Sequence, residues 1–175
     1  QHSPFHAGEL EVQNLVGVDE RILDIGQRVI RDHLLPQHQE FYHSQHQLLL
    51  SIVDSNGRPW VAIVAGEPGF VAALSSRRLR VNALPIGLLG SSADEAIAQL
   101  DVGAQVGVLG IDYSTRRRNR VNGRVVSVDP TGFEIQVVQS FGNCQKYIQL
   151  RDTELAQLCV WQAPPVAGVS MAALD

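Results

Sequence analysis

Three consecutive strand-length segments at positions 107–140 constrain the fold of this chain more than any other feature. Gly107–Tyr113, Val121–Val128 and Phe133–Ser140 have the length and side-chain pattern of β-strands, and Asp129–Gly132 joins the last two as a tight turn. Together they predict a β-meander, in which neighbouring strands pair antiparallel. The rest of the chain is therefore expected to be organised around an antiparallel sheet.

The connection between the first two of these strands carries a high density of positive charge. Arg116, Arg117, Arg118, Arg120 and Arg124 lie within nine residues, although the 175-residue chain has a net charge of −4. The cluster is thus a local feature on an acidic protein, which argues against a general nucleic-acid binder. Guanidinium groups suit phosphate because they donate two parallel hydrogen bonds. The cluster predicts either an anion site or pairing with carboxylates of this chain or of a second copy.

Helical signals precede the strands. Residues 1–46 predict a helical segment that packs on the sheet, with helices over Glu9–Val18, from Glu20 to about His33 with Asp19 as N-cap, and over Gln37–Gln45 after Pro36. Positions 152–175 include Pro164–Pro165 and an Ala/Gly/Ser-rich run, which predict a C-terminal extension or linker.

Residues 47–151 predict a barrel domain. The additional strands are Leu48–Val53, Arg58–Ala65, Phe70–Leu74 and Leu79–Leu84, with Asn56–Gly57 as a hairpin turn and one helix over Ala93–Leu100. Six or seven antiparallel strands with short turns favour a mainly β fold, a small closed or partly closed barrel with peripheral helices, since closure removes sheet edges. A β-sandwich that is preceded by helices is the alternative architecture.

Other features of the sequence exclude several classes of protein. Two cysteines, Cys144 and Cys159, provide no disulfide framework, and the first residues do not form a secretory signal, so we expect a cytoplasmic setting. No apolar run approaches the ~20 residues that span a bilayer. The histidines between positions 33 and 46 are poorly spaced for one helical face, so no metal site is predicted. No catalytic motif is evident, and Cys144 has no general base close in sequence.

Several runs carry a family resemblance. They are Arg-Arg-Arg-Asn-Arg-Val-Asn-Gly-Arg at 116–124, Gln-Ser-Phe-Gly-Asn-Cys at 139–144 with Lys-Tyr-Ile at 146–148, Asn-Gly-Arg-Pro-Trp at 56–60 with Ala-Gly-Glu-Pro-Gly-Phe at 65–70, and Ser-Pro-Phe-His-Ala-Gly-Glu at 3–9. The most specific parts are Arg-Arg-Asn-Arg-x-Asn-Gly and Asn-Cys-x-x-Tyr-Ile. Over roughly residues 3–151 the chain resembles the pyridoxamine 5′-phosphate oxidase-related flavin-nucleotide-binding proteins. In better-characterised members a Ser-Arg-Lys triplet binds phosphate, and its place here is taken by Ser76–Arg77–Arg78 or by Asn82–Ala83–Leu84.

The resemblance implies an FMN-binding split barrel of six antiparallel strands that forms a homodimer, with flavin in clefts at the interface. It implies a flavin-dependent oxidoreductase of unknown substrate, with no nucleic acid or membrane partner. One cleft wall would comprise Arg58, Trp60, Ala62 and Ile63, the other Arg116, Arg117, Arg118 and Asn119, and the cofactor-binding set also includes Asn143, Cys144 and Tyr147. No catalytic residue is assigned. The alternatives are a non-catalytic module for flavin or another anionic ligand, and a degenerate dimerising barrel without flavin.

Overall fold

The computed structural model describes residues 3–18, 20–82 and 100–151, which form three helices and seven strands. The helices are α1 (Ala7–Leu15), α2 (Glu20–Val29) and α3 (Pro36–His43). The strands are β1 (Gln47–Val53), β2 (Pro59–Ala65), β3 (Val71–Ser75), β4 (Arg78–Val81), β5 (Gln105–Asp112), β6 (Arg117–Asp129) and β7 (Gly132–Gly142). None of the helices within these ranges has the length and apolar character needed to cross a membrane.

Local hydrogen bonds set the ends of the first two helices. α1 begins earlier than predicted because His6 and Glu9 form a capping box, in which the Glu9 amide donates to Nδ1 of His6 (3.2 Å) and the His6 amide donates to Oε2 of Glu9 (2.9 Å). α2 ends at Val29, also earlier than predicted. The chain then pairs with the sheet, because the Arg31 amide donates to the Ser140 carbonyl of β7 at 3.0 Å.

All seven strands pair antiparallel in one sheet, in the order β2-β1-β5-β6-β7-β4-β3. The predicted meander forms its centre as β5, β6 and β7, and the hairpins β1–β2 and β3–β4 flank it. β6 spans 13 residues and shifts register between Asn122 and Gly123 and again between Val125 and Ser127. Such bulges bend a strand and increase its twist, so β6 curves around the core.

The single sheet encloses one hydrophobic core. Every strand contributes a buried side chain to it, including Val64 of β2 and Val71 of β3, which stand at opposite ends of the sheet order. The sheet must therefore curl, because both end strands pack on the same cluster and only the short segment 66–70 connects them. The predicted mainly β barrel with peripheral helices is confirmed. The described sheet has seven strands, whereas the family resemblance implied six.

The helical segment packs on this core. Leu34, Phe41 and Tyr42 are buried in the same cluster as the strand residues. Several predicted features lie wholly or partly outside the described residues: the Asp19 cap, the end of the fourth strand, the helix over Ala93–Leu100 and the C-terminal extension.

Most of the arginine cluster lies in a strand, which corrects the prediction that these arginines occupy the connection between two strands. β6 begins at Arg117, and only Arg116 lies in the preceding turn, where its φ is 57°. The turn closes early because the Asp112 carboxylate accepts hydrogen bonds from the hydroxyls of Ser114 and Thr115, both at 2.6 Å. Pairing of β5 with β6 then starts directly at Asp112 and Arg117.

Candidate functional site

A broad groove crosses the face of the sheet that points away from the core. Its volume is about 640 Å³, and side chains from β1, β2, β5, β6 and β7 line it. We call it the outer groove; the lining residues that matter below are Trp60, Val61, Asn122, Arg124, Val138 and Gln139. Trp60 is partly buried and packs against the core at the margin of the groove, whereas the other five positions lie between core positions of their strands.

The floor of the outer groove is apolar and exposed. Val61 is 60% exposed, Val138 is 55% exposed and Val53 is 59% exposed, and all three line the groove. The solvated face of an antiparallel sheet is ordinarily polar. Exposed apolar side chains that line a groove are one feature of places where a ligand or another protein binds.

Hydrogen-bonding side chains accompany this apolar floor. The Asn122 amide nitrogen donates to Oε1 of Gln139 at 3.0 Å, and the amide nitrogen of Gln139 donates to the Pro4 carbonyl at 3.0 Å. Arg124 also lines the groove, and its Nη1 donates to the Gly103 carbonyl at 2.8 Å. The groove thus combines a flat apolar surface with amide groups and one guanidinium, which are the elements that orient a planar heteroaromatic ligand.

The β1–β2 hairpin holds two of the predicted site residues through Asp54. Its carboxylate accepts hydrogen bonds from Nε of Arg58 at 2.7 Å and from Nε1 of Trp60 at 2.9 Å, and the Arg58 guanidinium carbon lies 5.6 Å from the Trp60 ring centroid. The Trp60 hydrogen bond contributes most to holding the pKa of Asp54 below its ordinary value, with the backbone and side-chain bonds of Arg58 adding to it. Arg58 is therefore engaged within its own hairpin.

The four residues predicted for the first cleft wall do not form one surface. Ala62 is buried in the core, while Ile63 is 53% exposed on the opposite face of β2. Alternation along the strand makes this unavoidable. Of the four residues, Trp60 lines the outer groove.

A second, smaller pocket lies at the turn between β5 and β6 and has a volume of about 260 Å³. We call it the arginine pocket. Its lining includes Arg116 of the preceding turn, Arg117, Arg118 and Asn119 of β6, Asn143 just after β7, and Gln37, His38 and Phe41 of α3. The four residues predicted for the second cleft wall therefore lie in one pocket together with Asn143, which belongs to the predicted Asn-Cys-x-x-Tyr-Ile run. The Asn143 amide donates to the Arg118 carbonyl at 3.1 Å, which holds the two segments side by side.

Several arginines outside this region pair with carboxylates, whereas those of this region do not pair with any described carboxylate. Within the described part of the chain, ion pairs join Arg58 to Asp54, Arg77 to Asp32, Arg78 to Glu134 and Arg80 to Asp129. No described carboxylate lies within ion-pair distance of Arg116, Arg117, Arg118, Arg120 or Arg124. The explanation that carboxylates of the same chain neutralise the cluster thus finds no support among these residues.

His38 is the titratable group of the arginine pocket. It is buried, and its Nδ1 lies 3.3 Å from Oγ of Ser140, which is fully buried. Burial is the main cause that lowers the pKa of His38, and the nearby charges of Arg31, Arg117 and His33 act in the same direction. We therefore expect a neutral imidazole at neutral pH.

Five predicted site residues line neither pocket: Arg58, Ala62 and Ile63, described above, and Cys144 and Tyr147. Cys144 is exposed, and its Sγ accepts a hydrogen bond from the Lys146 amide at 3.4 Å. Tyr147 is 89% exposed with a φ of 72°. Sequence reasoning missed the α3 residues of the arginine pocket and also missed Asn122 and Gln139 of the outer groove. Asn122 could have been found from the sequence, because strand alternation places it on the same face of β6 as Arg120.

The arginine pocket lies at the start of β6 and the outer groove near its middle. Cross-strand pairing runs from Trp60 to Ile52, then to Val106 and then to Gly123, so Trp60 shares a row with Gly123. Arg117 pairs with the far end of β5, and the six residue steps from Arg117 to Gly123 correspond to about 20 Å of strand. Within one chain, the two predicted cleft walls therefore do not face each other.

Comparisons with known proteins find only slight likeness. No protein-family model and no curated protein matches the chain. Two crystal structures of HupZ from Group A Streptococcus are similar in part. One, of a point variant, has a TM-score of 0.45 and 12% identity and covers 63% of this chain and 99% of HupZ. The other has a TM-score of 0.44 and 13% identity and covers 62% and 94%. Likeness at this level assigns neither a family nor a function to the chain.

Proposed function

We propose that this protein binds FMN as a homodimer, with the flavin ring in the outer groove and a second copy of the chain covering it. The observation that carries the proposal is the outer groove itself, in which the exposed side chains of Val53, Val61 and Val138 lie in the same cleft as amide groups and one guanidinium. The family resemblance of the sequence supports both the cofactor and the dimer.

The groove fits a flavin in size and chemistry. Its volume of about 640 Å³ lies within the range of small-molecule sites. The flavin ring is flat, with apolar faces and a hydrogen-bonding edge. The residues suited to its faces are Val61 and Val138, and those suited to its edge are Asn122 and Gln139.

The phosphate tail of FMN needs a cation. Arg124 is the positively charged side chain among the described residues that line the groove, and a guanidinium binds phosphate with favourable geometry. We therefore assign the phosphate to Arg124 and not to Arg58, because the guanidinium of Arg58 is held by Asp54.

Bound FMN would supply the redox chemistry, and the chain would bind and orient it. A flavin-dependent oxidoreductase is the first candidate. A flavin carrier without turnover is the second, since the described residues that line the groove include no carboxylate, histidine, lysine, cysteine or tyrosine that could move a proton. A cytoplasmic setting is part of the proposal and rests on the sequence alone.

The test is a visible absorption spectrum of freshly purified protein, combined with its mass in solution. We expect a yellow dimer. A colourless monomer that takes up no added FMN would overturn the proposal. Oxidation of a reduced nicotinamide by the yellow protein would select the oxidoreductase, whereas stable flavin without turnover would select the carrier.

A further inference from the structure

We propose that the turn between β1 and β2 is a modification site, at which Asn56 loses its side-chain amide and the main chain isomerises without an enzyme. The proposal goes beyond flavin binding and does not depend on it. It rests on a contrast within the chain. The dipeptide Asn-Gly occurs at positions 56–57 and again at 122–123, and the fold places the two copies in opposite surroundings.

The reaction needs a main-chain nitrogen that can reach the side-chain carbonyl carbon of the preceding residue. The amide nitrogen of Gly57, after losing its proton to a base in the solvent, attacks Cγ of Asn56. A C–N bond forms, and ammonia leaves after the amide group has taken up a proton from water. Water then opens the cyclic imide at either carbonyl, which gives aspartate or isoaspartate. Glycine hinders the attack least, because it has no Cβ beside the nitrogen.

The first copy of the dipeptide is exposed and lightly held. Asn56 and Gly57 are both exposed, and no atom lies within 4 Å of a Cβ placed at Gly57, whose φ is 78°. The Gly57 amide donates a turn hydrogen bond of 3.0 Å to the Asp54 carbonyl. Asn56 donates to Oδ1 of Asp54 through its main-chain amide at 2.8 Å, and its side-chain amide makes no hydrogen bond to the described residues. Because exposed turns open at little cost in free energy, the attack is accessible here.

The second copy is held on every side. Gly123 is buried in β6 and pairs with Val106 of β5 and with Val137 of β7. The side-chain amide nitrogen of Asn122 donates to Oε1 of Gln139 at 3.0 Å. Attack at this position requires the central strand to leave both neighbours, which costs much of the free energy of unfolding. We therefore expect the fold to protect Asn122 and to leave Asn56 reactive.

The product would disturb the hydrogen bonds around Asp54. The Asp54 carboxylate accepts from the main-chain amides of Asn56 and Arg58, at 2.8 Å and 2.9 Å, and from the indole of Trp60 at 2.9 Å. Isoaspartate adds a methylene to the main chain between Asp54 and Arg58, so one carboxylate no longer matches the spacing of these donors. The modified turn therefore holds Trp60 less firmly at the margin of the outer groove.

The experiment is peptide mapping by mass spectrometry of the full chain after incubation in mildly alkaline buffer made with heavy-oxygen water. We expect deamidation at Asn56 to be about tenfold or more faster than at Asn122. We also expect isoaspartate among the products, and labelled oxygen in both products. In guanidinium chloride that unfolds the chain, the two sites should react at similar rates, because the reacting dipeptides are identical.

Equal rates at the two sites in the folded protein, or a slower rate at Asn56, would overturn the proposal. Aspartate without isoaspartate would rule out the imide. A difference that persists in guanidinium chloride would assign the contrast to flanking sequence and overturn the protection by the fold.

Asn56→Ser is the control variant, because serine suits a turn and has no amide to lose. We expect it to abolish the reaction in the hairpin and to leave the rate at Asn122 unchanged. Hydrogen exchange of the hairpin peptide, measured after the same incubation, tests the consequence for Asp54. We expect faster exchange in the aged parent protein than in aged Asn56→Ser, and equal exchange in the two would contradict the loosening of the turn.

Discussion

The hydroxyl of Tyr42 in α3 donates a hydrogen bond of 3.0 Å to the backbone carbonyl of Asn119 in β6. Tyr42 is fully buried, and burial raises the pKa of its hydroxyl far above the ordinary value of 10.0, so it remains a donor. This bond joins the helix on one side of the arginine pocket to the strand on the other. The geometry of the pocket therefore depends on how α3 is fixed to the sheet.

We expect Tyr42→Phe to lower the free energy of unfolding by about 1 kcal/mol, because one buried hydrogen bond is lost while the ring remains. Urea unfolding measures this change. Phosphate titration of the same variant should show weaker binding, since α3 is held less firmly against β6. Tyr113→Phe is the control, because Tyr113 is only partly buried and its hydroxyl has no hydrogen bond among the described residues. Equal effects of the two substitutions would contradict the role of the Tyr42 bond.

Because a second copy is proposed to cover the outer groove, we expect a charged side chain on the floor of the groove to prevent formation of the dimer. Val61→Lys places an ammonium on the apolar surface that the second copy would bury, so we expect a monomer with little flavin. Leu74→Lys is a matched control, because Leu74 is 57% exposed, against 60% for Val61, and does not line the groove. Sedimentation and the flavin spectrum measure both variants. A dimeric, yellow Val61→Lys protein would place the interface elsewhere.

At Gly123 the packing around β6 leaves no room for a side chain. A Cβ at this position would lie 2.4 Å from Cγ2 of Ile135 and 2.5 Å from the Gln136 carbonyl oxygen. Since the carbonyl belongs to the paired strand, the backbone must shift, and we expect Gly123→Ala to destabilise the fold by about 2 kcal/mol. Gly142→Ala should have little effect, because no atom lies within 4 Å of a Cβ there. Urea unfolding of both variants provides the comparison.

His38 predicts a pH dependence of anion binding. Its lowered pKa keeps the imidazole neutral near neutral pH, and an anion in the arginine pocket favours the protonated form. Sulfate affinity should therefore rise as pH falls below 6.5, the ordinary histidine value. Sulfate is the suitable probe because it does not titrate in this range. His38→Gln should bind sulfate with no such rise, and an unchanged pH profile in that variant would assign the effect to another group.

His38 also makes the free energy of unfolding depend on pH. Because the pKa of His38 is lower in the folded state than in the unfolded chain, the unfolded state binds the proton more tightly. Without anions, the contribution of His38 to stability is present above pH 6.5 and is lost as pH falls through the folded pKa. Saturating sulfate should reduce this loss, which urea midpoints at several pH values would reveal.

The strand pattern was predictable from the sequence because it depends on local periodicity. The meander, the hairpin turn at Asn56–Gly57 and the seven strands all follow from alternation and turn residues, and each strand is present. The boundary errors arise where distant groups compete for the backbone. α2 stops early because Arg31 pairs with Ser140, and no local pattern near position 31 signals a partner more than one hundred residues away in sequence.

The candidate site was predictable only in part. Arg116, Arg117, Arg118, Asn119 and Asn143 come together as the runs implied. Ala62 could have been excluded as an exposed site residue, because alternation along β2 places it on the core side with Trp60 and opposite Ile63. The contribution of α3 could not have been foreseen, because its contact with β6 depends on how a helix docks on a folded sheet.

The amino-acid sequence by itself determined that this protein is an antiparallel β structure with helices in front and a dense group of arginines at one strand end, because side-chain periodicity and local charge are properties of neighbouring residues. Tertiary structure alone decided that the arginines meet the first turn of α3, and that Trp60 lies about 20 Å of strand away from them. The reason is physical. The order of strands in the sheet and the docking of α3 are set by the shared burial of the whole core, which no single segment encodes.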